Sequence, residues 1–247
     1  SGDTGSAVAR AFHRKAGIEV VILYPSGRVS PLQEKQLATL GGNVTALEVQ
    51  GSFDDCQSMA KRAFQDPELN SRLPLSSANS INLGRLLPQA LYYIYGFAAL
   101  ADSAGAPSAA LRFCVPSGNF GNLTAGVYAW QWGLAVEGFI AATNANDVVP
   151  EYLATGVYRP RASVPTLSNA MDVGDPSNFE RLLAVFGSDA AAMRRLIHGE
   201  RITDEETRRC LRWVYEERGL LVDPHTAVGL LAARRFREKT GFGGQLL

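Results

Sequence analysis

Short apolar runs alternate with segments of helical periodicity along this chain, and no other feature constrains its fold as strongly. Four runs have the composition of buried strands: residues 20–24, 45–49, 111–115 and 136–142. The first of them is expected to be a central strand that is buried on both faces. Helical segments of about 10 to 15 residues separate such runs, so the sequence predicts an α/β fold with doubly wound, mostly parallel sheets. Ligands bind to sheets of this kind at the carboxyl ends of the strands.

Side-chain caps predict where several helices begin. Ser52 and Asp55 have the spacing of a capping box ahead of one helix. Thr203 and Glu206 repeat this pattern later in the chain. Asp223, which precedes a proline, predicts the start of the last long helix.

Two further helices are predicted from apolar periodicity. Residues 7–15 are expected to form the first helix, after a turn at residues 1–5. Residues 83–100 are apolar on most sides, which is typical of a buried helix.

Composition and charge favour a small-molecule partner. The 247 residues are 46% hydrophobic, which suits a globular protein with one large or two modest domains. We expect a small α/β domain at residues 1–78 and a larger one at residues 79–247. Basic and acidic residues balance at 24 each without a basic tail, so no nucleic-acid or anionic-membrane partner is expected.

Cysteine usage predicts a protein of the reducing cytoplasm. Cys56, Cys114 and Cys210 are far apart and match no disulfide framework or zinc-binding spacing. No apolar stretch has the length of a membrane span. The sequence therefore predicts neither a metal site nor insertion into a membrane.

The stretch Val-Pro-Ser-Gly-Asn-Phe-Gly-Asn at residues 115–122 lies between a predicted strand and a predicted helix. Gly118 and Gly121 allow positive φ angles and close approach of the backbone. The first turn of a helix leaves N–H groups unpaired at the positive end of its dipole, so this stretch predicts an anion-binding loop that suits phosphate. A plain tight turn is the alternative, because the stretch is neither a Walker loop nor a G-x-G-x-x-G sequence.

Two other predicted turns, at residues 1–4 and 79–82, also place small and polar residues where a helix begins. Arg85, one helical turn beyond Asn82, adds a planar set of donors that suits a phosphate group. One interpretation is a site for two anions at the edge of a sheet. The alternative is that the polar residues of these turns are only helix caps.

Six segments of the chain carry a resemblance to one family. They are SGDTGSAVA, VVILYPSGRVSPLQEKQLATLGGNV, SANSINLGRLLPQ, VPSGNFGNLTAG, ATNANDVVP and TLSNAMDVG. Together they resemble threonine synthases, in the branch that has SGDTG where relatives have SGNT. The resemblance implies a fold type II pyridoxal-phosphate enzyme of the tryptophan-synthase-β type. Such an enzyme is a carbon–oxygen lyase acting on phosphates, which converts O-phosphohomoserine and water to L-threonine and phosphate.

The resemblance also implies roles for individual residues. One group is expected to wrap the phosphate of the cofactor pyridoxal 5'-phosphate: Gly118, Asn119, Phe120, Gly121 and Asn122. Asp3 is expected near the phenolic oxygen of the cofactor. A second group is expected to bind the substrate carboxylate: Ser1, Gly2 and Thr4. A third is expected to bind the substrate phosphate, with Asn82 supporting the turn: Asn79, Ser80 and Arg85.

Two elements of the family pattern are missing from the sequence. The family holds its cofactor through a Schiff-base lysine in an SxKD-like segment ahead of SGDTG. The lysines of this chain lie in predicted helices without that context: Lys15, Lys35, Lys61 and Lys239. A TAHPAKF-like segment, whose threonine meets the pyridine nitrogen in the family, is missing as well. We therefore expect a portion of a longer protein, incomplete at both ends, with no catalytic residue and no activity of its own.

Two alternative functions stay open. One is a threonine-synthase-like phosphohomoserine lyase, which releases 2-oxobutyrate. The other is a truncated, non-catalytic ligand-binding module. His13 and His198 are expected at the surface in helical stretches, and His225 is expected to pack at a helix start without a metal. The sequence does not distinguish a monomer from a homodimer.

Overall fold

The computed structural model of the chain describes residues 2–29, 31–79, 82–104 and 110–247. These residues gather into two compact units, which are divided in the sequence after Asn79. Within the described residues, no helix has the length and apolar character needed to cross a membrane.

The first unit is built on two parallel strands. β1 (Val20–Pro25) pairs with β2 (Val44–Val49), with Val20 opposite Val44. Its helices are α1 (Gly2–Phe12), α2 (Pro31–Ala38), α3 (Phe53–Gln65) and α4 (Pro67–Arg72). The capping box predicted at Ser52 and Asp55 is present at the start of α3.

The first helix begins and ends earlier than predicted. Residues 2–5 form the first turn of α1 instead of a turn ahead of it, and the helix ends at Phe12. The amide side chain of Asn43 stops it there, because Nδ2 donates to Phe12 O at 2.9 Å and Oδ1 accepts from Arg14 N at 2.7 Å. Lys15 therefore lies outside a helix, contrary to prediction.

β1 is not buried on both faces, and this prediction is wrong. Val20, Ile22 and Tyr24 are buried on one face, whereas Val21 on the other face is 62% exposed. Within the described residues, β1 pairs only with β2.

The second unit contains a parallel sheet with the strand order β5-β4-β3-β6. Its strands are β3 (Leu111–Pro116), β4 (Gly138–Thr143), β5 (Ile197–Arg201) and β6 (Gln245–Leu246). The register places Arg112 opposite Gly138 in β4 and opposite Leu246 in β6. β3 is thus flanked by a strand on each side.

Helices cover both faces of this sheet. They are α5 (Leu83–Leu86), α6 (Ala90–Ala104), α7 (Gly121–Gln131), α8 (Val148–Thr155), α9 (Phe179–Val185), α10 (Ala190–Leu196), α11 (Asp204–Arg218) and α12 (Pro224–Thr240). Phe139 of β4 belongs to a core cluster that includes Leu123 of α7. The next residue, Ile140, belongs to a second cluster that includes Val228 of α12. Since consecutive strand residues point to opposite faces, the sheet is doubly wound as predicted.

The segment predicted as one buried helix at residues 83–100 is different in the structure. A single 3-10 turn, Leu87–Gln89, separates α5 from α6, because Pro88 cannot donate a helical hydrogen bond. Tyr93 of α6 is buried, but Tyr92 is 70% and Tyr95 77% exposed, so the prediction of a buried helix is wrong on that side.

His198 is not in a helix, contrary to prediction. It lies in β5, with its side chain about one-third exposed, and its Nε2 is 3.2 Å from Glu200 Oε2. Glu200 is buried and also accepts from Lys239 Nζ at 2.9 Å. Because this polar pair lies in the strand itself, β5 has no apolar run in the sequence.

Candidate functional site

The β3–α7 loop, residues 117–120, begins at the carboxyl end of a strand that is flanked on both sides. Ser117 adds one more hydrogen bond between this strand and β4, since its N–H donates to Ala142 O at 2.8 Å. Its hydroxyl donates to Val115 O at 2.8 Å, and its side chain is buried. The start of the loop is therefore fixed against the sheet.

Phe120 turns the chain from this loop into α7. Its φ angle is 61°, in the left-handed region that a bulky residue rarely adopts, and its side chain is buried in the core. Thr124 N donates to Phe120 O at 3.0 Å, which is the first hydrogen bond of the helix. Among the described residues, no side chain caps this helix N-terminus.

The backbone N–H groups at the start of α7 are available to a ligand. Within the part of the chain that the structure describes, the N–H groups of Phe120, Gly121 and Asn122 donate to no acceptor. They lie at the positive end of the helix dipole. This geometry suits an anion such as phosphate, as the sequence predicts.

Gly118 makes a close contact that no other residue type would allow. A Cβ atom at this position would lie 2.6 Å from Met171 Cα and 3.0 Å from Ala170 O. The β3–α7 loop therefore packs directly on the backbone of the 3-10 turn Asn169–Met171.

The side chains of Asn119 and Asn122 form hydrogen bonds that connect the loop and the start of α7 to other segments. Asn119 Oδ1 accepts from Ser177 N at 2.6 Å. Asn122 Oδ1 accepts from Tyr93 Oη at 2.6 Å, and its Nδ2 donates to Gln89 Oε1 at 3.1 Å. Contact with an anion at Phe120 and Asn122 would therefore come from their backbone N–H groups.

Gln89 connects this region to the helix of Arg85. Its Nε2 donates to Arg85 O at 2.8 Å, while its Oε1 accepts from Asn122. Asn82 is the N-cap of α5, and its Oδ1 accepts from Gly84 N at 2.9 Å. Asn82 therefore caps the helix in which Arg85 lies.

The remaining predicted residues are placed as follows. Gly2, Asp3 and Thr4 lie in the first turn of α1, in the first unit, and Thr4 is exposed. Asn79 N donates to Ser77 Oγ at 3.1 Å. Ser1 and Ser80 lie outside the described residues.

A buried polar network lies beside the loop, at the carboxyl end of β4. Asp172 accepts from Asn144 Nδ2 at 2.9 Å, from Asn146 Nδ2 at 3.1 Å and from Thr166 Oγ1 at 2.7 Å. Burial raises the pKa of Asp172, against the lowering effect of these hydrogen bonds. Asn144 and Asn146 belong to a segment that carried the resemblance, but no role was predicted for them from the sequence. The pattern that could have indicated this network is a pair of asparagines directly after a buried strand.

His225 at the start of α12 contacts the same turn. Its Nε2 lies 3.3 Å from the backbone N of Ala170, which donates to it. Its Nδ1 lies 3.0 Å from Asp223 Oδ1. Burial raises the pKa of Asp223, but hydrogen bonds from Thr226 and His225 outweigh this and lower it to about 2. His225 thus packs at a helix start, as predicted.

Comparison with known proteins identifies the family of this chain. A family profile described as "Pyridoxal-phosphate dependent enzyme" matches residues 1–246. The threonine synthase of Serratia marcescens is 47% identical over 243 residues, which are 98% of this chain and 56% of that protein. This chain spans a little more than half the length of the curated relatives it matches.

Solved structures agree with the sequence matches. The crystal structure of threonine synthase from Escherichia coli superposes with a TM-score of 0.85 at 46% identity, covering 95% of this chain and 54% of that one. The structure of PLP-bound threonine synthase from Brucella melitensis has a TM-score of 0.81 at 39% identity, covering 99% and 57%. The resemblance to threonine synthases and the α/β fold with parallel sheets are confirmed. The chain belongs to the family of pyridoxal-phosphate dependent enzymes.

Proposed function

We propose that this chain supplies the cofactor-phosphate site and part of the substrate site of a threonine synthase. The reaction would convert O-phosphohomoserine and water to L-threonine and phosphate, in the cytoplasm. The observation that carries the proposal is the start of α7, which follows an interior strand of a parallel sheet. In the described part of the chain, this helix start has no side-chain cap, and its first N–H groups donate to no acceptor. The similarity to threonine synthases over nearly the whole chain supports it.

The residues of the β3–α7 loop fit a phosphate group. Gly118 has no side chain, so the loop can pack on the Asn169–Met171 turn. The backbone N–H groups of Phe120, Gly121 and Asn122 would then hold the phosphate of pyridoxal 5'-phosphate, with Asn119 fixing the loop through Ser177. When bound, this cofactor supplies an electron sink that no side chain provides.

Arg85 is the residue we assign to the substrate phosphate, together with Asn79 and Ser80. A guanidinium group can donate two parallel hydrogen bonds to a phosphate, whereas a carboxylate or amide cannot supply this charge. Asn82 would orient Arg85 by capping α5. The two anionic groups of the reaction, one on the cofactor and one on the substrate, would thus each have their own donors.

In the first unit, we assign the start of α1 to the substrate carboxylate. Ser1, Gly2 and Thr4 would bind it, because the first turn of a helix presents N–H groups at the positive end of a dipole. Asp3 would lie near the phenolic oxygen of the cofactor. We assign no catalytic role to a lysine of this chain: Lys239, for example, donates to both carboxylate oxygens of Glu200 at 2.9 Å.

Product analysis tests this function. The protein that carries this chain, incubated with pyridoxal 5'-phosphate and O-phosphohomoserine, is expected to release threonine and inorganic phosphate in equal amounts. Formation of 2-oxobutyrate without threonine would contradict the proposal and favour a phosphohomoserine lyase.

A further inference from the structure

The turn that packs on the β3–α7 loop is itself held from several sides. Its backbone at Ala170 and Met171 occupies the space beside Gly118 that a Cβ atom would need. Any shift of this turn would therefore change the space in which Gly118 and the following N–H groups are held.

Asp172 fixes one end of the turn. Its carboxylate accepts from the side chains of Asn144, Asn146 and Thr166, and its Oδ2 also accepts from Thr166 N at 2.9 Å. These donors tie the turn to the carboxyl end of β4, next to the strand that leads into the β3–α7 loop.

His225 holds the middle of the turn through a separate hydrogen bond. Ala170 N–H donates to Nε2, so this nitrogen must carry a lone pair and no proton. The proton of the neutral ring then lies on Nδ1, where it donates to the Asp223 carboxylate. Asp223 in turn is the N-cap of α12 and accepts from His225 N at 2.7 Å. The position of the imidazole is therefore set by the helix start.

We propose that His225 is a positioning residue for the cofactor-phosphate site. It acts through the Asn169–Met171 turn: the lone pair of Nε2 holds Ala170 N–H, and the turn keeps Gly118 and the N–H groups of the β3–α7 loop in place. This inference rests on the proposal that the loop binds the cofactor phosphate.

The variants His225→Phe and His225→Gln distinguish the effect of the Nε2 lone pair from the effect of the ring volume. Phenylalanine has a ring but no acceptor, whereas the amide oxygen of glutamine can accept from Ala170 N–H. His13→Phe, in the first unit, is the matched control for loss of a histidine elsewhere. Circular dichroism and thermal unfolding of each variant establish that it is folded.

Two measurements are made on the protein that carries this chain. Amide hydrogen exchange without ligand reports whether Ala170 N–H is protected. Equilibrium titration gives the dissociation constants of pyridoxal 5'-phosphate and of pyridoxal, which lacks the phosphate.

We expect His225→Phe to accelerate exchange at Ala170 and to weaken pyridoxal 5'-phosphate binding roughly three- to tenfold, as loss of one hydrogen bond does. Pyridoxal binding should stay unchanged, and His225→Gln should restore both exchange and affinity to within about twofold. His13→Phe should resemble the wild type in all measurements.

Three results would overturn the inference. If His225→Phe accelerates exchange but leaves the affinity for pyridoxal 5'-phosphate unchanged, His225 is only structural. If pyridoxal and pyridoxal 5'-phosphate weaken equally, the effect does not act on the phosphate. If the wild type binds pyridoxal 5'-phosphate normally and His225→Phe is unaffected in every measurement, this inference alone is contradicted. A wild-type protein that binds no pyridoxal 5'-phosphate contradicts the proposed function itself.

Discussion

Gly118 is the residue at which the smallest chemical change should have the largest effect on the loop. The Cβ atom of Gly118→Ala would lie 2.6 Å from Met171 Cα, and a backbone atom cannot move aside as a flexible side chain can. We expect a loss of about 1 to 3 kcal/mol in the free energy of unfolding, measured by denaturant titration, together with weaker pyridoxal 5'-phosphate binding.

The matched control for this change is Gly243→Ala, because no atom of the described residues lies within 4 Å of a Cβ at that position. It should unfold like the wild type. A Gly118→Ala protein with wild-type stability and wild-type affinity would show that the contact with the turn is not a constraint.

Arg85 is the second residue with a testable role. Arg85→Lys keeps the positive charge but removes the planar pair of donors, so kcat/KM for O-phosphohomoserine should fall about tenfold. The cofactor absorbance should not change. Arg72→Lys, on the exposed surface of α4, serves as the control. Unchanged kinetics in Arg85→Lys would assign this arginine to structure alone.

Single residues also show where sequence reasoning reached its limit. The sequence predicted an anion-binding loop at residues 115–122, but a motif does not tell whether an asparagine acts through its side chain or its backbone. Asn122 directs its amide to Tyr93 and Gln89, which are 29 and 33 residues away. His225 contacts Ala170 across 55 residues. Such partners follow from tertiary packing, which local spacing does not encode.

Helix caps carry a prediction at the scale of elements. Burial raises the pKa of Glu206, but hydrogen bonds from Thr203 and Arg235 outweigh it and lower the pKa to about 2. Glu206 in the capping box of α11 and Asp223 at the N-cap of α12 are therefore carboxylates whose folded pKa lies below the ordinary value. Their contribution to stability is present above about pH 4 and is lost as the pH falls toward 2.

We therefore expect the free energy of unfolding, measured by urea titration, to decrease between pH 5 and pH 2. Glu206→Gln should show a shallower decrease over this range, because one of the groups that takes up a proton is gone. Glu205→Gln, at an exposed position of the same helix, is the control and should keep the wild-type slope. Equal slopes in all three proteins would contradict a role for the Glu206 cap.

Elements with a local signal were predictable, and elements without one were not. The apolar runs that end at Pro25 and Pro116 are strands, and both predicted capping boxes are present. These features were predictable because each depends on neighbouring residues in the sequence. β5, with the sequence Ile-His-Gly-Glu-Arg, carries no apolar alternation. The charge of its buried Glu200 is balanced by distant residues, since Lys239, 39 residues later, donates to it and Arg235 lies 3.6 Å from it.

At the scale of the whole molecule, alternation of strands and helices was enough to predict parallel sheets. It did not predict how completely each element is covered. Val21 and Tyr95 are residues of apolar or aromatic type that are often buried, yet both are exposed in the described structure. Burial depends on which element lies against a residue. Periodicity indicates an apolar face, whereas only packing determines what meets that face.

The left-handed backbone of Phe120 has a consequence for how a ligand is received. Such a conformation costs about 1 to 3 kcal/mol in a bulky residue, and deep burial of an aromatic ring offsets a cost of this size. The ring is packed in the core, so the loop should hold its shape without the proposed anion. Preorganisation of this kind leaves little conformational entropy to be lost on binding. A glycine at this position would relax the backbone, but it would release the loop from the core and make phosphate capture entropically costly.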